Sequence, residues 1–253
     1  LGDVYKRQIY SNMLNTDKKI RIEMKAKYNL LLMLMLMGMS FFLTSCSDDD
    51  DAVAKVAPSA TGTYTDPRDG NEYRWVRYGN LEWLADNFRY DTGDASTCMI
   101  YNGINSNGPV DENVYGRLYT YKAAVAACPE GWRLPTDADW QNLEMAMGMS
   151  ASQAGSWEWR GHVAKNMMSI YEEKNDFNVL MAGWYFPHAV MGVEECRYFG
   201  TYAVFWTASK DGEQGKGDGF YIYRKFLFNS DQVYRQSTSD EMGMSVRYVR
   251  DAQ

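Results

Sequence analysis

The chain has 253 residues, of which 45% are apolar, 23% charged and 15% aromatic, which excludes a disordered or fibrous polypeptide and supplies ample material for a core. The formal charge is −7; the seven basic and three acidic residues of 1–45 leave 19 and 30 on residues 46–253, a balance of −11 that makes this part a poor polyphosphate binder, so no nucleic-acid partner is expected. With only two histidines, His162 and His188, a zinc centre or His-based acid/base chemistry is disfavoured, and neither metal nor cofactor is expected.

The first element in chain order is an almost continuous apolar run over 30–43, preceded by Lys25 and Lys27. As a helix it would span roughly 21 Å at about 1.5 Å per residue, short of the ~30 Å of a bilayer core. A basic start, a short apolar stretch and small residues before a cut predict a signal peptide over 24–45. Leu43-Thr44-Ser45-Cys46 is similar to a bacterial lipobox, which implies acylation of Cys46 and a membrane partner through that lipid. The four carboxylates at 48–51 cannot enter a core, and 46–62 reads as an acidic tether. That run resembles the acidic export signal of lipoproteins carried on the outer face of the outer membrane by some Gram-negative gut anaerobes. The location this implies is the outer membrane, lipid-anchored and exposed at the cell surface. Upstream, Asp3-Val4-Tyr5-Lys6-Arg7-Gln8 is similar to the translation of a transposon mosaic-end adapter. Residues 1–23 are therefore read as non-native or untranslated, with the start at Met24 and Met13 as the alternative.

The folded domain is expected over 63–251. Strands at 62–65 and 72–78 flank Asp66-Pro67-Arg68-Asp69-Gly70-Asn71, whose Pro and Asp-Gly chemistry predicts a hairpin, and a third short strand covers 81–85. Residues 88–114 read as loop. An Ala-rich helix is predicted over 119–127, stopped by Pro129-Glu130-Gly131. Thr136 is placed to N-cap the next helix, on which Trp140, Leu143 and Met147 recur at helical spacing before Gly148 ends it. A third helical piece is predicted over 162–168. At 220–228 the pattern alternates: Phe220, Ile222, Phe226 and Phe228 share one face, and Tyr221, Tyr223 and Lys225 a half-wet one. Strands at 232–237 and 245–250 are expected to complete a three-stranded antiparallel group. Strands, two helices, a long irregular middle and strands again read as α+β.

Three segments are identified with a known family: Gly116-Arg117-Leu118-Tyr119, Cys128-Pro129-Glu130-Gly131-Trp132-Arg133-Leu134-Pro135-Thr136-Asp137, and Ser245-Val246-Arg247-Tyr248-Val249-Arg250-Asp251. With Asp69-Gly70-Asn71, Trp83-Leu84-Ala85-Asp86-Asn87, Asn175-Asp176-Phe177, Gly183 and Phe205-Trp206-Thr207-Ala208-Ser209 they resemble the Fibrobacter succinogenes major paralogous domain over roughly 63–251. The resemblance implies a C-type-lectin-like fold: small antiparallel sheets flanked by two helices, long irregular loops, and first and last strands paired. It also implies a bacterial surface or secreted lipoprotein. Three cysteines remain beside Cys46, and three pairings are open to them. Many members of the family carry Cys at the position of Tyr248, which would partner Cys128. With Tyr there instead, the bridge expected here is Cys98–Cys128.

The resemblance does not bring an activity with it. A copper- and thiol-dependent oxidase on this fold would need two neighbouring cysteines late in the domain, and only Cys196 is present. The Glu-Pro-Asn, Gln-Pro-Asp and Trp-Asn-Asp signatures of calcium-dependent sugar binding are missing, as are phosphate loops, nucleophile elbows and His-Glu-x-x-His. No catalytic residue is assigned. What remains is an aromatic surface: Trp157, Trp159, Trp184, Tyr185, Tyr198 and Tyr202 in the irregular middle, and Tyr221 and Tyr223 on the wet strand face. Rings with polar tips suit sugar stacking and protein contacts alike, whereas Trp132, Trp140 and Trp206 are expected in the core. The function expected is non-catalytic binding of an extracellular glycan or protein. The alternatives are an accessory or tip subunit of a surface adhesive assembly and an extracytoplasmic hydrolase.

Overall fold

The local chemistry of the first turn is realised as expected. A computed structural model describes residues 56–102, 109–169, 175–187, 195–212 and 218–253, all within one unit, Asp51–Gln253. The segments read as adapter, signal peptide, lipidated Cys46 and acidic run, together with His188, lie outside the described residues. β1 (Ala60–Thr65) and β2 (Glu72–Tyr78) pair antiparallel, with Thr65 opposite Glu72. The turn between them closes when Gly70 N–H donates to Asp66 O at 2.8 Å, and Gly70 adopts a φ of 77° that suits glycine. A tight turn at Gly79-Asn80 leads into β3 (Leu81–Leu84).

Two four-stranded sheets result. The first has the order β1-β2-β3-β12, where β12 is Val249–Asp251. The second has the order β6-β11-β10-β9, formed by Glu158–Arg160, Val233–Ser239, Phe220–Leu227 and Tyr202–Lys210. Two small ribbons complete the strand set: β4 (Cys98–Met99) with β5 (Leu118–Tyr119), and β7 (Trp184–Phe186) with β8 (Glu195–Arg197). Antiparallel sheets with few helices agree with the α+β expectation.

Several expectations are corrected. The 245–250 strand does not join the 220–237 group: Val249 pairs with Trp83 and Arg250 with Glu82 in the first sheet. Upstream of it, Ser245 makes only an isolated bridge to Phe205. Alternation marks a strand but not its partner, and here the segment crosses from one sheet to the other. The last strand thus pairs with the third, and β1 lies at the opposite edge of the same sheet. The predicted 162–168 helix is a single 3-10 turn, Ala164–Asn166, and the predicted 119–127 helix begins at Tyr121 because Leu118–Tyr119 pairs with Cys98–Met99.

The helices are short. They are α1 (Glu112–Tyr115), α2 (Tyr121–Ala126), α3 (Asp137–Ala146) and α4 (Ala151–Gly155). α3 starts where Thr136 predicts: its hydroxyl accepts from Asp139 N–H at 3.1 Å, and the Asp139 carboxylate accepts from Thr136 N–H at 2.7 Å. α4 uses the same device through Ser150 and Gln153, a signal not singled out from the sequence. Among the described residues no helix is long and apolar enough to cross a membrane.

Trp140, Leu143 and Met147 bury the inner face of α3 against Trp83, Phe177, Phe205 and Phe226. A second cluster gathers Tyr73, Phe88, Tyr119, Trp132, Trp206 and Tyr248. Each sheet therefore lends one face to each core, which leaves only part of the second sheet's far face wet.

Candidate ligand-binding site

The wet part of that face is built by strand register. Trp159 on β6 lies opposite Tyr234 on β11, and Tyr234 lies opposite Lys225 on β10. The rings of Trp159 and Tyr234 sit 5.0 Å apart. Contacts then run around a closed circuit: Tyr234 to Tyr223 at 6.2 Å, Tyr223 to Trp184 at 5.9 Å, Trp184 to Phe186 at 4.5 Å, Phe186 to Tyr198 at 6.0 Å, and Tyr198 to Tyr202 at 5.3 Å. Lys225 closes it, its Nζ 4.1 Å from the ring centroid of Tyr234, 5.1 Å from that of Tyr202 and 5.4 Å from that of Trp159.

Five of the sequence-predicted residues, Trp159, Trp184, Tyr198, Tyr202 and Tyr223, are thus brought together. Trp159, Trp184, Tyr202, Tyr234 and Lys225 are half-buried, Tyr198 is 43% exposed, and Phe186 with Tyr223 forms the floor. Tyr223 is only 5% exposed, which corrects its placement on a wet strand face: the ribbon β7-β8 covers it. Trp184 carries its indole Nε1 buried, with no acceptor among the described residues. Tyr198 reaches the rim from a left-handed backbone, φ 65°.

The other three candidates fall elsewhere. Tyr185 points to the opposite side of β7 and is buried with Met99, Tyr101, Leu118 and Cys196. Tyr221 is stacked at 3.4 Å on Tyr121, beyond a β-bulge between Tyr221 and Tyr223. Trp157 lies under the Arg235 guanidinium at 3.8 Å, on the α3 side of the sheet. Sequence reasoning missed Tyr234, Phe186 and the role of Lys225. Tyr234 was legible as the wet-phase residue of the 232–237 strand, but its place opposite Lys225 depends on register.

The opposite face of the same strands holds buried charge. Arg235 Nε and Nη2 donate to Asp137 at 2.9 and 2.7 Å, Arg224 Nε and Arg160 Nη2 donate to Glu144 at 2.6 and 2.7 Å, and Arg224 Nη1 lies 2.7 Å from Asp137. Burial pushes the Asp137 carboxyl up, but the hydrogen bonds from Arg235 and the charge of Arg224 outweigh it and hold the pKa down at about 2.

The sequence motifs prove architectural. Arg247, fully buried, donates through Nε to Asn87 Oδ1 at 2.9 Å, through Nη1 to Leu84 O and Phe177 O at 3.1 and 3.0 Å, and through Nη2 to Asn178 O at 2.7 Å. Asn87 donates in turn to Tyr115 O at 2.7 Å. Next to it Gly116 has a φ of 72°, and a Cβ there would meet Asn87 Cβ at 2.5 Å. The guanidinium thus ties its own segment to 84–87 and 177–178, and Asn87 extends the tie to Tyr115. Beside them, Arg74, Asp86, Arg89, Asn175 and Asn178 line a polar cleft of about 540 Å³. A second cleft of about 330 Å³ is lined by Ser96, Thr97, Thr120, Lys122, Asp240 and Glu241.

Cys98, Cys128 and Cys196 are free thiols, so the expected Cys98–Cys128 bridge is not formed. Cys128 instead donates to Trp132 O at 3.2 Å and Cys98 to Tyr90 O at 3.6 Å. Burial raises the pKa of both Cys128 and Cys196 to about 11. Among the described residues no three His, Cys, Asp or Glu side chains group so as to hold a metal ion.

Residues 76–250 match the family model described as the Fibrobacter succinogenes major domain. No curated protein and no solved structure matches the chain.

Proposed function

Since the chain belongs to the Fibrobacter succinogenes major domain family, we propose that it is a non-catalytic binding module, C-type-lectin-like in fold but calcium-free, that takes an extracellular glycan through its aromatic circuit. The single observation that carries this reading is the convergence of Trp159, Tyr202 and Tyr234, half-buried rings from three strands, around one accessible face. Half-buried rings keep flat apolar faces available while their surroundings hold them in place, which suits stacking on a sugar. The lipobox at Cys46 and the acidic run after it support display at the outer-membrane surface, where such a ligand is met.

Three of the buried carboxylates are held away from the acid role that hydrolysis needs. A glycosidase acid needs a raised pKa. The buried Asp66, Glu82 and Asp137 are instead tied to Arg68, to Arg77 and Arg250, and to Arg224 and Arg235. In all three, burial raises the pKa, but the arginine bonds prevail and bring it below the ordinary value.

The test is a glycan array probed with the full chain and with Trp159→Ala. A bound glycan lost by about tenfold or more in the variant, with near-ultraviolet circular dichroism unchanged, is expected. Binding that survives Trp159→Ala and Tyr234→Ala together would end the reading, and retention by a surface protein alone would redirect it to a protein ligand.

A further inference from the structure

Lys225 is unlike the other described cations of the sheet. Its cross-strand neighbours are Val204 and Tyr234, both uncharged, and it forms no ion pair or hydrogen bond among the described residues. Exposed Lys210 on the neighbouring strand, by contrast, holds Asp218 at 3.1 Å. Three ring faces surround the Lys225 ammonium and attract it through their quadrupoles, but they supply no counter-charge. Burial lowers its pKa, and no carboxylate among the described residues opposes that shift.

We propose that the aromatic circuit selects a saccharide bearing a single carboxylate, with Lys225 as the group that pairs with it. The inference rests on the glycan reading above and names its ligand class. A carboxylate laid across Trp159 and Tyr234 would meet an ammonium already partly stripped of water, so a charge-assisted hydrogen bond forms at little further desolvation cost. The −11 balance of residues 46–253 disfavours densely charged polyanions at long range. An isolated acid on an otherwise neutral glycan avoids that repulsion and still satisfies Lys225.

The experiment titrates the full chain, read by tryptophan fluorescence, with three short glycans: a sialic-acid-terminated lactose, a glucuronate-terminated disaccharide and a galacturonate disaccharide. Each is paired with its methyl ester. At least one acid is expected to bind about tenfold or more tighter than its ester. Lys225→Met should erase that difference, and Lys225→Arg should restore much of it. Acid and ester binding equally in every pair overturns the anionic inference and leaves the aromatic site standing. Failure of all three acids while a neutral glycan on the array binds overturns it in the same way. If no glycan of any kind binds, both readings fall together.

Discussion

Arg224 and Lys225 are consecutive residues of β10, and they face opposite ways into opposite electrostatic designs. Arg224 is fully buried on the α3 side, where Asp137 and Glu144 answer it together with Arg160 and Arg235. Lys225, one step along, has rings around it and no acid among the described residues. On one face, every buried guanidinium has a carboxylate partner, three arginines sharing Asp137 and Glu144, so the cluster fixes the helix to the sheet. On the other, a cation of the same sign has no ion-pair partner among the described residues and sits at an accessible place. Paired charge inside a fold is a device of assembly, while unpaired charge within an aromatic surround is a device of recognition.

The largest expected effect comes from breaking the matched side. Glu144→Ala leaves buried Arg160 with no acid among the described residues and Arg224 sharing Asp137 with Arg235, and removal of one partner of a buried ion network costs about 3–5 kcal/mol. Urea denaturation of the variant should show a loss of that size. A loss below about 1 kcal/mol would mean that the network does not pin α3, and the contrast between the faces would dissolve.

The second effect sharpens the same side through pH. Asp137 titrates near 3.8 when unfolded and at about 2 when folded. A depressed carboxylate pKa adds stability that is complete above the unfolded value and lost as pH falls through the folded one. The Asp137 share is therefore about 2 kcal/mol, lost between roughly pH 4 and pH 2. Asp137→Asn should flatten that stretch of the stability-against-pH curve. An unchanged slope between pH 4 and 2 would remove Asp137 from the account.

How far the sequence discloses this contrast differs between the faces. The N-cap at Thr136 and the Trp140-Leu143-Met147 stripe are local, set by neighbours within one helix, and both stand as read. The α+β class follows from the same local periodicities. Five of the eight aromatic candidates also converge. Trp157, Tyr185 and Tyr221 do not, because a sequence pattern gives a side chain's phase but not which element packs on that phase. Arg224 shares the phase of Phe226 and reads as an interruption of an apolar face; only the fold supplies the acids that let it sit there. Tyr234 and Lys225 become a pair through a hairpin register that composition does not state. The Ser245–Arg250 segment shows the strongest limit: its strand pattern is visible, yet its partner lies about 165 residues upstream, at Trp83 and Glu82.

The smallest effect is the most discriminating. Replacing Lys225 by Met removes a half-buried ammonium that has no acid partner among the described residues, and Met keeps the length and the apolar stem that packs among the rings. Lost cation–π attraction and relieved desolvation oppose each other, each on the order of 1 kcal/mol, so stability should change by less than about 0.5 kcal/mol in urea denaturation. A destabilisation approaching that of Glu144→Ala would show that Lys225 is a structural cation like its neighbour Arg224, and the two faces would then differ only in the kind of partner that holds their charge. A near-zero change leaves Lys225 without a structural reason for its position, which is the condition under which its charge is free to serve a ligand.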